Sequence, residues 1–454
     1  MRLISITVLF VFSMASIAKA QKPLISHIYA ADPSGHVWPT DTTTLWLYTS
    51  HDVPGTNHHA TMFDYHVFST KDRVNWTDHG RVLSLDDVSW AVSHAWAIDA
   101  VYRHGKYYLI YCMIEKATGM FRTGISGSDV PQGPFTDLGY IKGVDWGQDP
   151  CVFVDDDNRA YLYWGAGGGC SAAELNDDLL SIKPETKRDL KSELFEVFEG
   201  PWTHKYKGKY YLSYPALPGG QWPEQMYYAV ADMPLGPFTY KGNYIPYFKG
   251  QAGTNHGSIV KFNNQWIAFH HASIVSGGKS EVRNLMADFL YYNPDGTIKT
   301  IVPDNKSITN GEPTKCTILL EAESGKAAGG NMGGTSIESS FPGCSGKGYV
   351  TGFDIPHDYV SVLVQVAKDM KANLKIRLSA ETDYKADILI GATMLAGWDG
   401  SAMKKTIGWE LVDLGDVQLK EGDNIIRFCC KSNINLKLDY FLVTPEMKSR
   451  ATNK

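Results

Sequence analysis

An internal repeat restricts the fold of this chain more than any other feature. Gly105-Lys106-Tyr107-Tyr108-Leu109-Ile110-Tyr111 reappears as Gly208-Lys209-Tyr210-Tyr211-Leu212-Ser213-Tyr214. Pro131-Gln132-Gly133-Pro134-Phe135-Thr136 reappears as Pro234-Leu235-Gly236-Pro237-Phe238-Thr239, and both pairs share one offset of 103 residues. Looser copies of the aromatic strand stand at Leu45-Trp46-Leu47-Tyr48, Tyr161-Leu162-Tyr163-Trp164 and Trp266-Ile267-Ala268-Phe269, so five copies end 50 to 63 residues apart. About four short strands with their turns fill such an interval. Runs rich in Tyr, Trp, Val and Ile alternate with Gly, Pro, Asn and Asp clusters, a pattern of short strands and not of long helices. The spacing predicts an all-β chain whose first part is a five-bladed β-propeller, the 103-residue offset being a step of two blades.

A second pattern runs in phase with the first. Ahead of each aromatic strand lies a polar residue among small or apolar ones: Asp32 in Ala31-Asp32-Pro33-Ser34, Asp99 in Ala97-Ile98-Asp99-Ala100, Asp149 in Gln148-Asp149-Pro150, Glu199 in Phe198-Glu199-Gly200-Pro201 and His256 in Asn255-His256-Gly257-Ser258. Each precedes the end of its strand by 12 to 16 positions. Equivalent positions on the innermost strands of five blades converge on one axis, whereas an array of β-sandwiches leaves the phasing unexplained. Singly, Asp-Pro marks a turn; as a phased set, four carboxyl groups and a histidine are costly to gather unless they do proton chemistry, bind an ion or recognise a sugar.

Two carboxyl groups facing across a cavity are the minimal equipment for cleaving a glycosidic bond, with a separation of about 6.5–9.5 Å when the anomeric configuration is inverted. Asp32, in a polar setting, is the candidate general base. Glu199, between Phe198 and Pro201-Trp202, is the candidate general acid, because an apolar surround favours the protonated form. Asp149 is placed to raise the proton affinity of Glu199 and orient it. His256 holds an ion or water at the axis or is a satisfied core histidine. Asp99 contacts substrate or a neighbouring backbone amide, and Arg283 binds a sugar hydroxyl or forms a surface ion pair. Trp96 and Trp202 complete the candidate substrate contacts.

These motifs resemble glycoside hydrolase family 43. The resemblance is carried by Ala31-Asp32-Pro33-Ser34, Gln148-Asp149-Pro150 with Val154-Asp155-Asp156, Glu199-Gly200-Pro201-Trp202 with Gly208 to Leu212, Asn255-His256-Gly257-Ser258, and Tyr292-Asn293-Pro294-Asp295-Gly296-Thr297-Ile298, over about residues 24–305. It implies a five-bladed propeller and an inverting mechanism with Asp32 as base, Asp149 as pKa modulator and Glu199 as acid. It also implies a calcium ion or water beside His256 and a sugar contact at Arg283. Members remove xylosyl or arabinofuranosyl units or cut arabinan. Asp41 to His51 and Tyr65 to Gly80 look most like arabinoxylan-active members. The chain has Trp96-Ala97-Ile98-Asp99 where such relatives carry Trp-Ala-Pro-Asp. A non-catalytic carbohydrate-binding propeller, an endo-arabinanase and a related five-bladed glycosidase of other specificity are the alternatives. Exo action is expected from the loop Asp52 to Asp64, with His58 and His59, closing one end of the channel.

The pattern changes after residue 298. A polar stretch ends the propeller near 305, a linker spans 306–316, and cleanly alternating strands over 317–447 predict a β-sandwich, with a tail at 448–454. Leu320-Glu321-Ala322-Glu323 through Lys437-Leu438-Asp439-Tyr440 resembles carbohydrate-binding module family 6. That resemblance implies a jelly roll with a structural calcium held by Glu321, Glu323 and Asp439, and a sugar platform sought among Tyr349, Trp398 and Trp409. Lys437 stands where the family often has Asn.

Met1-Arg2, an apolar run from Leu3 to Ile17, and Ala18-Lys19-Ala20 describe a cleavable signal over 1–20, hence secretion or a periplasmic location and a propeller domain over 21–305. No later segment is apolar enough to span a membrane. Net charge is −6, and −8 once Arg2 and Lys19 leave with the signal. Without basic runs, nucleic acid is excluded as a partner. Plant cell-wall polysaccharide or oligosaccharide (arabinoxylan, xylo-oligosaccharide or arabinan) fits the 25 Tyr, 12 Trp and 18 Phe, whose faces stack on sugars. The chemistry needs no cofactor, and a monomer is expected. The seven cysteines show no metal-type spacing.

Overall fold

The computed structural model describes residues 22–55, 61–279, 281–303, 308–328, 335–353, 355, 358–431 and 435–446. The expected signal, His58 and His59, residues 306–307 of the expected linker and the 448–454 tail lie outside them. Among the described residues, regular structure is β-strand broken by five short 3-10 turns.

Strands fall into five consecutive antiparallel groups over residues 30–290. The first comprises Ala30–Trp38, Asp41–His51, Asp64–Thr70 and Asn75–Ser84. The second holds Ala91–Ser93, Ile98–Arg103, Lys106–Glu115, Phe121–Ser128 and Thr136–Tyr140. The third is Cys151–Val154, Ala160–Trp164, Ser171–Glu174 and Arg188–Asp189. Trp202–Tyr206, Lys209–Ala216, Gln225–Ala231 and Thr239–Ile245 make the fourth. Gly257–Phe262, Gln265–Ala272 and Asn284–Leu290 make the fifth. Each aromatic repeat pairs with the strand that carries or follows one of the phased polar residues. These lead strands also touch in series: 30–38 meets 98–103, then 151–154, 202–206 and 257–262 follow, and 257–262 meets 30–38 again.

The sequence explains the hairpins and their stacking. His104-Gly105, Lys207-Gly208 and Asn263-Asn264 all take positive φ at both residues, the backbone of a two-residue hairpin turn whose twist matches the strands it joins. Side chains alternate between faces along a strand. Leu45 and Leu47 therefore enter a core shared with Phe262, Ile267 and Phe269 of the fifth sheet. Trp46 and Tyr48 enter one shared with Ile98, Leu109 and Tyr111 of the second. Leu162 with Trp164, and Tyr161 with Tyr163, divide the same way between the second and fourth sheets. Burial on both faces makes these strands read as unbroken apolar runs.

Lys315–Glu321 runs parallel to Asn75–Ser84, so the first sheet continues into the C-terminal region. There it meets Leu436–Pro445, Tyr349–Thr351, Ser336–Glu338, Met370–Ala380 and Glu410–Leu419. A separate sheet holds Lys326–Ala328, Tyr359–Val366, Gly422–Cys430, Tyr384–Ile390 and Thr393–Met403. Both contribute to one core, with Leu374, Ile376 and Phe441 from one sheet and Val360, Ile388 and Phe428 from the other. Gln365 bridges the two halves: its Nε2 donates to Asp64 Oδ2 at 3.1 Å and its Oε1 lies 2.9 Å from His66 Nε2. The seven cysteines are all free thiols.

Candidate active site

Asp32, Asp149 and Glu199 occupy equivalent places at or just before a lead strand, and the backbone there is kinked. Asp32 has φ +52°, Asp149 +49°, and Gly200, beside Glu199, +55°. At Asp32 the pairing of Ala30–Trp38 shifts register between Ala31 and Ser34. Left-handed backbone costs a non-glycine residue about 1–2 kcal/mol and persists where the surroundings over-determine it. Gly200 has no such choice: a Cβ there would lie 3.1 Å from both His256 Nδ1 and the Pro215 ring.

Asp32 is buried, and its carboxylate is fully partnered. Ser50 Oγ donates to Oδ2 at 2.5 Å, and Arg283 Nη1 donates to Oδ1 at 3.0 Å. His271 Nδ1 and His256 Nδ1 stand 3.5 and 3.9 Å from the same Oδ1. Burial alone would raise the Asp32 pKa; Arg283, then His271, His256 and Ser50 outweigh it and hold the group far below the usual carboxylate range. Burial, then the Arg283 charge, lowers His271, and burial likewise lowers His256.

Glu199 is set the opposite way. It lines a cavity of about 400 Å³ with Trp146, Gln148, Ala166, Gly167 and Phe198. Burial, then the charge of Glu224, then Asp32, raise its pKa well above an ordinary glutamate. Asp149 is raised too, by burial and then by Glu199 and Asp32, while the Gly200 N–H favours its anion. Local surroundings thus lower the pKa of one carboxyl, Asp32, and raise that of another, Glu199, the divergence that acid–base hydrolysis requires.

The remaining expected residues divide. Arg283 belongs to the cluster and is no surface ion pair: it is buried, bonding Asp32 and, by Nε at 3.0 Å and Nη2 at 2.8 Å, the buried Asp52. Asp99 is corrected from a substrate contact to a structural group. It is 0% exposed; Oδ1 accepts from Ser34 Oγ at 2.8 Å and Oδ2 from the Val152 N–H at 2.6 Å, tying three lead strands together. Trp202 is corrected likewise, buried at 6% exposure, with Nε1 donating to the Ile259 carbonyl at 3.4 Å. Trp96 does not line the cavity but stacks through Phe121 (5.0 Å) onto Trp146 (5.6 Å), which does. His256 lies in the cluster beside Asp32.

Asp52, Ser50, His271, Glu224 and Trp146 were not read from the sequence. Ser50 and Asp52 follow an aromatic repeat already recognised, so their position was a usable signal. His271 stands two residues after the repeat Trp266-Ile267-Ala268-Phe269, as Ser50 does after Leu45-Trp46-Leu47-Tyr48, and shared that signal; Glu224, at the head of the strand after a repeat, had none.

In the C-terminal region, Glu321, Glu323 and Asp439 surround Ser345–Gly348. Ser345 Oγ donates to Glu321 at 2.6 Å, the Lys347 N–H to Glu323 at 2.8 Å, and the Ser345 N–H to Asp439 at 2.9 Å. Arg377 pairs with Asp439. Glu323 Oε2 is buried without a partner, and burial pushes Glu321 up to about 8 and Glu323 to about 7. That donor set suits a hard cation. Ligand atoms of three such side chains come within 4.8 Å of one another at His51, Asp64 and His66 among the described residues, not at this trio. That cluster is hydrogen-bonded: His51 Nδ1 lies 2.7 Å from Asp64, and His66 Nδ1 lies 3.3 Å from Asp78.

The chain is similar to known proteins over about three-fifths of its length. A xylosidase/arabinosidase 43A of Humicola insolens is 37% identical over 339 residues, 62% of this chain and 99% of that protein. A xylosidase/arabinosidase of Bacteroides ovatus is 34% identical over 327 residues, 61% of this chain and 96% of its own. Among solved structures, a β-xylosidase/α-arabinofuranosidase from a compost metagenome, in complex with xylotriose and calcium-free, matches with TM-score 0.56 and 35% identity over 63% of this chain and 98% of that one. An arabinoxylan arabinofuranohydrolase from Bacillus subtilis matches 93% of this chain and 97% of its own with TM-score 0.58; at 24% identity that likeness speaks for fold alone. The model of the glycosyl hydrolases family 43 matches residues 30–298. That span takes in all five sheets and every member of the buried carboxyl cluster, and the chain belongs to glycosyl hydrolases family 43.

Proposed function

We propose that the chain is a secreted, inverting glycosidase that releases xylosyl or arabinofuranosyl units from arabinoxylan or its oligosaccharides. The observation that carries the reading is the opposite direction in which their surroundings shift Asp32 and Glu199, with Glu199 at the wall of the cavity. Asp32 acts as the base and takes a proton from water as that water attacks the anomeric carbon. Glu199 gives its proton to the glycosidic oxygen as the carbon–oxygen bond breaks. The sugar leaves as a hemiacetal of inverted configuration, the remainder as an alcohol, and one water is consumed. Asp149, hydrogen-bonded to the Gly200 N–H, orients the acid and adds to its proton affinity. Arg283 keeps Asp32 ionised in an interior that would otherwise protonate it.

The serial contacts of the five lead strands favour a five-bladed propeller over residues 21–305, and the two C-terminal sheets around one core favour a jelly-roll sandwich over 317–447. The sandwich resembles carbohydrate-binding module family 6, and Glu321, Glu323 and Asp439 are its calcium ligands in this reading. The relatives' named activities favour xylose and arabinofuranose. The deciding experiment is a screen against aryl β-xyloside and aryl α-arabinofuranoside, with the product anomer followed by NMR. Release of neither sugar, with Glu199→Ala indistinguishable from the parent in binding xylo-oligosaccharide, establishes a binding propeller instead. Retention of configuration overturns the mechanism.

A further inference from the structure

Glu224 precedes the strand Gln225–Ala231 and is 0% exposed. It ties down the segment 251–256 through three groups: its N–H donates to the Gly253 carbonyl at 2.9 Å, its carbonyl accepts from Gln251 Nε2, and its Oε2 accepts the Asn255 N–H at 2.7 Å. That segment reaches the cluster. The Thr254 carbonyl lies 3.1 Å from His271 Nε2, Thr254 Oγ1 lies 3.4 Å from Arg283 Nη1, and His256 stands beside Asp32. The second oxygen, Glu224 Oε1, is buried with no hydrogen-bond partner, and so is the neighbouring Asn255 Nδ2. A buried carboxylate oxygen left unpartnered is costly, and the cost falls if the group keeps a proton or shares one with its neighbours.

We propose that Glu224 is a positioning residue of the hydrolytic site. One oxygen fixes the 251–256 segment against Asp32 and Arg283; the other, buried without a partner, places a further carboxyl behind the Asn255-His256 step that packs on Gly200, next to Glu199. The assignment rests on Glu199 being the general acid. The reach of one carboxyl to the other accords with it: after burial, Glu224 is the chief cause that raises Glu199. Glu224 itself is raised by burial and then by Asp149 and Asp32, against the Asn255 N–H and Arg283. Carboxyls coupled in this way lose their last proton late, as a group and not as individuals.

The test is the pH profile of kcat/KM for the full chain and for Glu224→Gln, on an unactivated oligosaccharide substrate that needs the acid. Glutamine keeps an acceptor for the Asn255 N–H and removes the charge. The basic limb moves down by about one pH unit, so activity above both limbs drops about tenfold while activity below them is retained and the acidic side of the profile is unchanged. A purely structural role lowers the rate equally at every pH; a folded Glu224→Gln with an unmoved basic limb therefore overturns the proposal. Should Glu224→Gln fail to fold, infrared titration of glutamate-labelled Glu199→Gln reads the reciprocal effect. A protonated carboxyl present at neutral pH in the parent then titrates at lower pH, and an unchanged titration overturns the proposal. Full activity of Glu199→Gln on the oligosaccharide refutes the hydrolytic reading itself, an outcome separate from the limb shift.

Discussion

Removing the Arg283 guanidinium should bring the titration of Asp32 up towards the ordinary carboxylate range. Arg283 Nη1 donates to Asp32 Oδ1 at 3.0 Å, inside the protein. At an effective dielectric constant near 20, two unit charges that close interact by about 5–6 kcal/mol. At 1.36 kcal/mol per unit that is an upper bound of about four pKa units, and nearby opposite charges in proteins usually supply about one to three. Arg283→Met is therefore expected to raise the Asp32 pKa by about one to three units, since burial continues to favour the neutral form and only Ser50 and the two histidines oppose it. The single variant also leaves the buried Asp52 without its partner, at a cost of about 3–5 kcal/mol. Asp52→Asn/Arg283→Met removes that charge and isolates the effect on Asp32. The assay is kcat/KM against pH on an aryl glycoside, with folding followed by circular dichroism. The parent should show no acidic limb before acid unfolding, because its Asp32 is ionised throughout; the double variant should show one that approaches the ordinary aspartate value of about 4. The sign follows from Asp32 acting as a base: activity disappears as pH falls through its pKa. A folded double variant whose profile keeps the parent's acidic side refutes Arg283 as the group that holds Asp32 ionised.

Gly200→Ala should lower both stability, by about 1–2 kcal/mol for a left-handed alanine, and kcat, because the new methyl group presses on His256 and Pro215 beside Glu199; thermal melts and kinetics read the two effects. Excess calcium should raise the melting temperature and a chelator lower it, by about 2.7 kcal/mol at a hundred times Kd, and Glu323→Gln should abolish the difference; a melt insensitive to both refutes the calcium ligands. His66 faces Asp78 and Gln365 with its two nitrogens, near Asp64, His51 and His27. Burial lowers its pKa, but Asp78 and then Asp64 and Gln365 raise it above the ordinary value. The stabilisation it provides is thus complete below about pH 6.5 and lost as pH rises through the folded pKa. The difference in melting temperature between the parent and His66→Gln should shrink accordingly from pH 6 to 9.

Much of the architecture was legible because it is local. Side-chain alternation in strands buried on both faces leaves apolar aromatic runs, and a two-residue turn with positive φ asks for Gly or Asn, so His104-Gly105, Lys207-Gly208 and Asn263-Asn264 punctuate the repeat. Asp32, Asp149 and Glu199 were legible for a related reason: they stand at the same phase of that repeat. Phase locates a residue but not the direction of its bonds. Asp99 shares it, and its carboxylate is taken by Ser34 and the Val152 N–H. Trp202 stands three residues after the acid and points into the core.

From the sequence alone come the all-β pattern, the five-fold phasing and the trio of carboxyl groups, since all depend on residue type at regular spacing. Tertiary structure decided the charge each carboxyl carries. Arg283 lies 251 positions from Asp32 along the chain, yet its Nη1 is 3.0 Å from it in space. Glu224 enters the cluster from the head of a strand out of phase with the repeat, and His271 from the fifth sheet, 239 positions from Asp32. Protonation depends on burial and on charges a few ångströms away, and neither is a property of local sequence.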